Sequence, residues 1–272
     1  MKAAALYELR WYQSHSCARK IGVVMKSFPR APIQEALLDL QVQLPEGCGD
    51  EVLVSFQEGI EERFPTKKDI KRITQNFELS PDNGIQTSST PIICQGYQYI
   101  SDSDQKIVQA RSDGFTFNKL RPYSDWKTFS DEARELWGKY VAEVNPISIN
   151  RIGLRYINRI EIPLPFTDFR EYCVLFPDFP EKMPQKLSEF FMRFVIPSPG
   201  EYNIATVVNL TFEPVTKDSP ILPLILDIDA FSLTGKLEPN DSLTWTIVDE
   251  LRETKNKIFD SSLTEKCKNL FI

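Results

Sequence analysis

Between Arg151 and Ile162 the chain reads Arg-Ile-Gly-Leu-Arg-Tyr-Ile-Asn-Arg-Ile-Glu-Ile, with Ile152, Leu154, Tyr156, Ile160 and Ile162 at the even positions. A period of two puts these apolar side chains on one face of a β-strand and Arg151, Arg155 and Arg159 on the other, with Gly153 leaving room between the first two. Three guanidinium groups in a row on one strand repel one another unless negative charge faces them. The fold must therefore contain a half-buried sheet whose polar face brings carboxylates to this row or leaves it for an anion from outside. Internal partners stand at Glu35 and Asp39, on one face of an early strand, and at Asp227 and Asp229, on one face of a late one. An external partner would be a phosphate or a carboxylate, to which the guanidinium fork is suited.

Similar alternation over Ile33–Leu44 marks a second half-buried strand, with Ala36, Leu38, Leu40, Val42 and Leu44 inward. Val52, Val54, Phe56, Ile60 and Phe64 fit a helix ending at Pro65. Ile73–Leu79 and Gly96–Ile100 read as strands around a polar stretch at 80–91, and Ser101-Asp-Ser-Asp104 as a hairpin loop into Lys106–Arg111. Asp113-Gly114 fits a bulge in a strand continuing through Phe115 and Phe117 somewhat better than a tight turn. The clearest helix runs from Asp125 to Val144. Trp126, Phe129, Ala133, Leu136, Trp137, Tyr140, Val141 and Val144 form its apolar stripe, with Ser124 placed as N-cap and Asn145-Pro146 as the stop. That aromatic stripe reads as core, not as a cofactor box.

The order then begins again. Ser148–Ile162 is a strand, 163–184 an irregular proline-rich connection, and Leu187, Phe190, Phe191 and Phe194 suggest a helix. Tyr202–Phe212 and Ile221–Phe231 are strands, the second near-continuously apolar and so expected to be central. A helix over Leu243–Phe259 follows, and a Ser262-x-x-Glu265 capping box opens a short last helix. Strand–helix–strands–helix thus occurs twice. The expectation is an α+β protein with two related halves packed together, 25–146 and 147–272.

Composition narrows the chemistry. Residues 1–24 show no period and no signal-peptide core, and Met25 stands just before Ser27-Phe28-Pro29-Arg30-Ala31-Pro32; the expectation is that Met25 is the start and 1–24 a non-native or disordered leader. His15, the single histidine, lies in that leader, so Ser-His-Asp and Cys-His mechanisms are excluded without it. Cysteines at 17, 48, 94, 173 and 267 form no C-x-x-C and read as reduced thiols of a cytoplasmic protein. A net charge of −6 argues against non-specific binding to nucleic acid or anionic membranes. No apolar run is long enough to span a bilayer. None of the glycine-rich phosphate loops, the G-x-S-x-G elbow, H-E-x-x-H or the EF-hand loop occurs. Asp227-Ile-Asp229 places two carboxylates on one side of a strand, as in sites that share Mg²⁺ for phosphoryl transfer, but no further carboxylate stands at a helpful spacing.

Arg111-Ser-Asp-Gly-Phe-Thr-Phe-Asn-Lys-Leu-Arg-Pro-Tyr-Ser-Asp-Trp126, Pro32-Ile-Gln-Glu-Ala36, Arg151-Ile-Gly-Leu-Arg-Tyr-Ile-Asn158, Leu226-Asp-Ile-Asp229 and the terminal helix with Lys255, Asn256, Ile258, Phe259 and Leu263-Thr264 form spaced blocks in order. Together they resemble a sporadically distributed family of bacterial proteins with no assigned activity. The resemblance covers nearly everything from Pro32 onward and leaves the leader outside. It implies a cytosolic bacterial protein, transfers no catalytic residue, and through its patchy distribution points towards mobile or defence-associated genes.

Three functional expectations follow. The leading one is a non-enzymatic binding or regulatory protein whose halves meet around a groove holding Glu35, Arg111, Arg151, Arg155, Arg159, Asp227 and Asp229. It would recognise an anionic small molecule or an acidic protein segment, in a defence or toxin–antitoxin-like setting. The second is a metal-dependent phosphoryl-transfer or nucleotide-processing enzyme built on Asp227 and Asp229. The third is a structural adaptor whose ion pairs only specify the fold. No cofactor, resident metal or catalytic residue is assigned.

Overall fold

Apolar and polar residues alternate through strand after strand, and the inward sets line up as one dry face of a large sheet. The computed structural model describes residues 28–272 apart from 48, 73–74, 81–83, 90–92, 103–104, 178, 185–187 and 199. Along the chain come β1 (Ile33–Gln43), α1 (Asp50–Ser55), β2 (Thr66–Arg72), β3 (Gln75–Ser80), β4 (Gly84–Ser89), β5 (Ile93–Ile100), β6 (Lys106–Arg111), β7 (Gly114–Leu120) and α2 (Trp126–Val144). They are followed by β8 (Ser148–Pro163), β9 (Phe191–Ser198), β10 (Ile204–Phe212), β11 (Ile221–Leu237), α3 (Leu243–Ser262) and α4 (Glu265–Lys268). This is an α+β arrangement. Nine strands make one antiparallel sheet in the order β2-β5-β6-β7-β1-β8-β11-β10-β9, and β3 pairs β4 in a separate hairpin.

β1 and β8 are neighbours in the interior of the sheet, so the ladder runs unbroken across the 146/147 boundary. β11 pairs β8 on the other side, as its near-continuous apolar run suggests. α2 and α3 cover the dry face. α2 buries Phe129, Ala133, Leu136, Trp137, Tyr140 and Val144 against β1 and β5–β8, and α3 buries Ile247, Val248 and Leu251. A second core gathers Ile160 and Ile162 of β8 with Val208, Leu210, Leu224, Leu226, Ile228 and the C-terminal Leu263, Cys267 and Phe271. On β8 the seam between the two cores falls at Asn158, which is buried and whose amide donates to the Leu226 carbonyl at 3.0 Å. No helix of the described residues is long and apolar enough to cross a membrane.

Several local expectations are corrected. Leu187–Phe194 has helical spacing, but Phe191–Ser198 is strand β9 on the edge of β10; Phe194-Val195-Ile196 favours extension and Pro197 has no place in a helix interior. The 52–64 helix ends at Ser55, passes into a 3₁₀ turn over Phe56–Gly59, and buries Leu53 more deeply than Val52 or Val54. Two strands, β2 and β4, were not expected, and the strand expected over 73–79 is β3 at Gln75–Ser80. Arg111 pairs directly with Gly114, so Ser112-Asp113 is a tight turn between β6 and β7 and not a bulge. Gly114 is needed there because a Cβ would stand 2.6 Å from the Leu40 carbonyl of β1. The N-cap of α2 is Asp125, whose carboxylate accepts from the Thr128 N–H at 2.9 Å, and not Ser124. α4 is capped by Thr264, while Ser262 ends α3; a capping box does form, between Asp168 and Glu171. The leader with His15, Met25 and Cys17, together with Cys48, Leu187 and part of the Ser101–Asp104 loop, lies outside the described residues.

Candidate functional site

Six of the seven expected site residues meet on the polar face of the sheet, opposite the helices. Arg151 lies along β8 over Gly153. Its Nη1 donates to Asp39 at 3.0 Å and its Nη2 to both Asp229 oxygens at 3.2 and 2.9 Å, while the guanidinium stacks 4.7 Å from the Phe231 ring. Arg111 reaches the other Asp39 oxygen at 2.8 Å and Asp113 at 2.9 Å, and also donates to Thr116. One chain of alternating charge thus links β6, β1, β8 and β11. Arg155 closes on Asp227 with two parallel bonds of 2.8 and 2.9 Å, and Asn209 of β10 donates to the same carboxylate at 2.9 Å. Glu35 takes a hydrogen bond from Asn118 and acts on Arg155 through space. Arg159 stands apart, at the far end of β8, paired with Glu213 at 2.9 Å and Glu161 at 2.5 Å.

These contacts set the ionisation of the face. Burial draws the Arg111 pKa down, and Asp39 and Asp113 more than offset it. The Asp227 hydrogen bonds raise Arg155 against the opposing effect of burial. Burial pushes the Asp229 carboxyl up, opposed by Arg151 and Arg155. Both Asp227 and Asp229 are thus closed over by guanidinium groups. No group of three His, Cys, Asp or Glu among the described residues could hold a metal ion. The five arginines of this face and its rim (111, 151, 155, 159 and 193) stand against seven carboxylates (35, 39, 113, 161, 213, 227 and 229). A free anion arriving here meets an excess of negative charge.

Arg193 differs from the other four. It lies exposed on β9, and its Nη1 donates at 3.0 Å to the neutral amide oxygen of Asn209, with no carboxylate in reach among the described residues. β9 closes one end of the sheet, and Phe191 (65% exposed) and Val195 (62%) stand out from it beside Phe194 and Ile196. The opposite edge, β2, carries exposed Lys67, Lys68 and Lys71.

A second cluster lies on the helix side, at the seam between the cores. Lys255 of α3 is only 8% exposed, and its Nζ sits 3.6 Å from the centre of the Tyr156 ring on β8. The Tyr156 hydroxyl meets that of Tyr123 at 2.9 Å. Arg252, one turn earlier on α3, stacks 5.2 Å from the Trp126 ring. Burial, then the Arg252 charge, draws the Lys255 amine down to about 7. Burial holds Tyr123 up at about 12 and Tyr156 well above the usual phenol range. Cys173 and Cys267, both free and buried, are pushed up to about 11 and about 12 by burial and offer no reactive thiolate.

No protein-family model matches the chain, and no curated protein matches it in sequence. The site therefore rests on its own geometry. Neither Arg193 nor the Arg252–Lys255 pair was among the expected site residues. One signal for Lys255 was present: it stands four residues after Leu251 and eight after Ile247, on the buried stripe of its helix. Arg193 gave none, because its segment carries the spacing of a helix.

Proposed function

We propose that this protein is a binding module and not an enzyme, and that it recognises an acidic, extended segment of a partner chain by adding it to the free edge of β9. The observation that carries the reading is the contrast between the two edges of the sheet. An unpaired edge invites another strand, and proteins protect such edges with charge, above all lysine. β2 is protected in that way, whereas β9 offers four exposed apolar side chains and one cation. Main-chain hydrogen bonds to a β9 edge would supply affinity, and Arg193, the face's one arginine without a carboxylate among the described residues, would supply choice. Pro197 fits a position whose N–H would face outward, which limits the pairing stretch to Phe191–Ile196.

The ion pairs of β1, β6, β8 and β11 then serve to fix the sheet that presents this edge, so part of the adaptor expectation is absorbed. We further infer a repeated unit in the two halves: β1 and β8 stand side by side, each flanked by the last strand before a covering helix, β7 before α2 and β11 before α3. Membership of the sporadically distributed bacterial family and a cytoplasmic setting belong to the same proposal.

Fluorescence anisotropy with labelled synthetic peptides tests it. One peptide alternates Thr and Val around a central Glu, and the other carries Lys in that place. The Glu peptide is expected to bind about tenfold more tightly, Arg193→Glu to reverse the order, and Val195→Lys to abolish binding of both. Failure of both peptides to bind overturns the reading. So does a wild-type dimer that Val195→Lys splits, which would assign the edge to self-association.

A further inference from the structure

We propose that the seam between the two cores is a binding site for a phosphate-type oxyanion, held between Arg252 and Lys255 with a hydroxyl of the Tyr123–Tyr156 pair as third donor. The site is independent of β9. Two equally buried lysines have opposite surroundings. Lys268 is 8% exposed and lies between Asp260 at 2.7 Å and Glu265 at 2.9 Å. Lys255 is also 8% exposed, yet no carboxylate or carbonyl among the described residues comes within bonding distance of its ammonium. Arg252 beside it likewise meets an aromatic ring, with no acid in bonding distance among the described residues. Two adjacent cations with no carboxylate bonded to either among the described residues, in a chain that carries six excess negative charges, leave a place for an anion from outside.

The buried side-chain atoms sealed from solvent without a hydrogen bond are Thr206 Oγ1 and Thr244 Oγ1 among the described residues. Lys255 Nζ is not one of these, though it too has no hydrogen-bond partner among the described residues. Around it stand Arg252 from α3, Tyr156 from β8, Tyr123 just ahead of α2 and Trp126 at its start, and the Asp125 carboxylate of that same segment acts on the Tyr123 hydroxyl. In the Tyr123–Tyr156 pair one hydroxyl donates to the other, which leaves one proton to give. A guanidinium fork, an ammonium and one phenol together match three oxygens of a tetrahedral oxyanion better than the two of a carboxylate. An anion between the cations favours the charged amine, so binding draws a proton onto Lys255.

Titration calorimetry on the full chain tests this, in buffers of different ionisation heat and at constant ionic strength. Sulfate is the first probe, because it does not titrate near neutrality; inorganic phosphate, phenyl phosphate and acetate follow. Sulfate and phosphate are expected to bind saturably and acetate not to. Sulfate binding should take up nearly one proton at pH 8 and little at pH 6. Lys255→Met should weaken sulfate at least tenfold and remove the proton uptake, while Arg252→Gln should weaken it and keep the uptake. Tighter binding of phenyl phosphate than of phosphate would support a phosphoryl group on a larger ligand, and equal binding the free ion. Absence of saturable binding, acetate binding as tight as sulfate, or an unchanged Lys255→Met variant would each overturn the proposal.

Discussion

The guanidinium of Arg151 occupies the space that a side chain on Gly153 would need, because a Cβ there would collide with Arg151 Nη1. This single vacancy lets Arg151 lie flat along β8 between Asp39 of β1 and Asp229 of β11. Gly153→Ala is therefore expected to shift the Arg151 guanidinium and loosen its bonds to both carboxylates, at a cost of about 1 kcal/mol of stability. Urea denaturation measures the loss. In an Arg151→Ala background the same substitution should cost far less, since the two changes remove one interaction.

Arg155 and Asp227 provide the test of whether the ion pairs specify the fold. Asp227 is buried while the Arg155 side chain is 40% exposed, so the pair sits partly in solvent and the expected loss is discounted for screening. Arg155→Met leaves a buried carboxylate with only the Asn209 amide and should cost about 1–2 kcal/mol. Arg155→Met combined with Asp227→Leu should recover most of that loss. An Arg155→Met single variant as stable as wild type would show that the pair does not hold the sheet together.

The polar face was legible from the period of two in β1 and β8, because side-chain alternation alone decides which residues share a face. Carboxylates at 39, 227 and 229 follow from charge balance against the arginine row. Which carboxylate meets which arginine was not legible. Arg151 reaches diagonally across two neighbouring strands, and Arg159 turns to Glu161 and Glu213, since pairing depends on strand order and register. β9 was misread because Leu187, Phe190, Phe191 and Phe194 satisfy a helical period; the open edge of β10 decides the matter, and that is a tertiary effect. The Arg252–Lys255 seam was missed for a related reason. The stripe on α3 reads as one continuous face, whereas the sheet beneath it carries two cores that part at Asn158.

Thr206 and Thr244 are fully buried, and neither hydroxyl has a hydrogen-bond partner among the described residues. A buried, unmatched hydroxyl loses its bonds to water and gains nothing in return. Thr206→Val and Thr244→Val keep the branched shape and replace the hydroxyl with a methyl group, so each is expected to raise stability by about 1 kcal/mol. Thr206→Ser is the control. It keeps the hydroxyl and removes the methyl, and should lower the thermal midpoint instead.

Lys255 predicts a pH dependence with a definite sign. In the unfolded chain its amine is an ordinary lysine, whereas burial draws it down to about 7 in the fold. Below pH 7 both states carry the charge, and the fold bears the full cost of burying it. Between about pH 7 and pH 10 the unfolded chain still holds the proton and the fold has released it, so this group makes stability rise with pH. Near pH 10 and above, the penalty disappears. The shift sets a ceiling of about 5 kcal/mol on the cost. Lys255→Met is thus expected to be more stable than wild type by up to about 4 kcal/mol at pH 6 in an anion-free buffer. The gap should narrow steadily to near zero at pH 10, because the other lysines and tyrosines titrate alike in both proteins. Paired urea titrations across this range measure the gap, and a gap that does not change with pH would show that Lys255 holds its proton throughout.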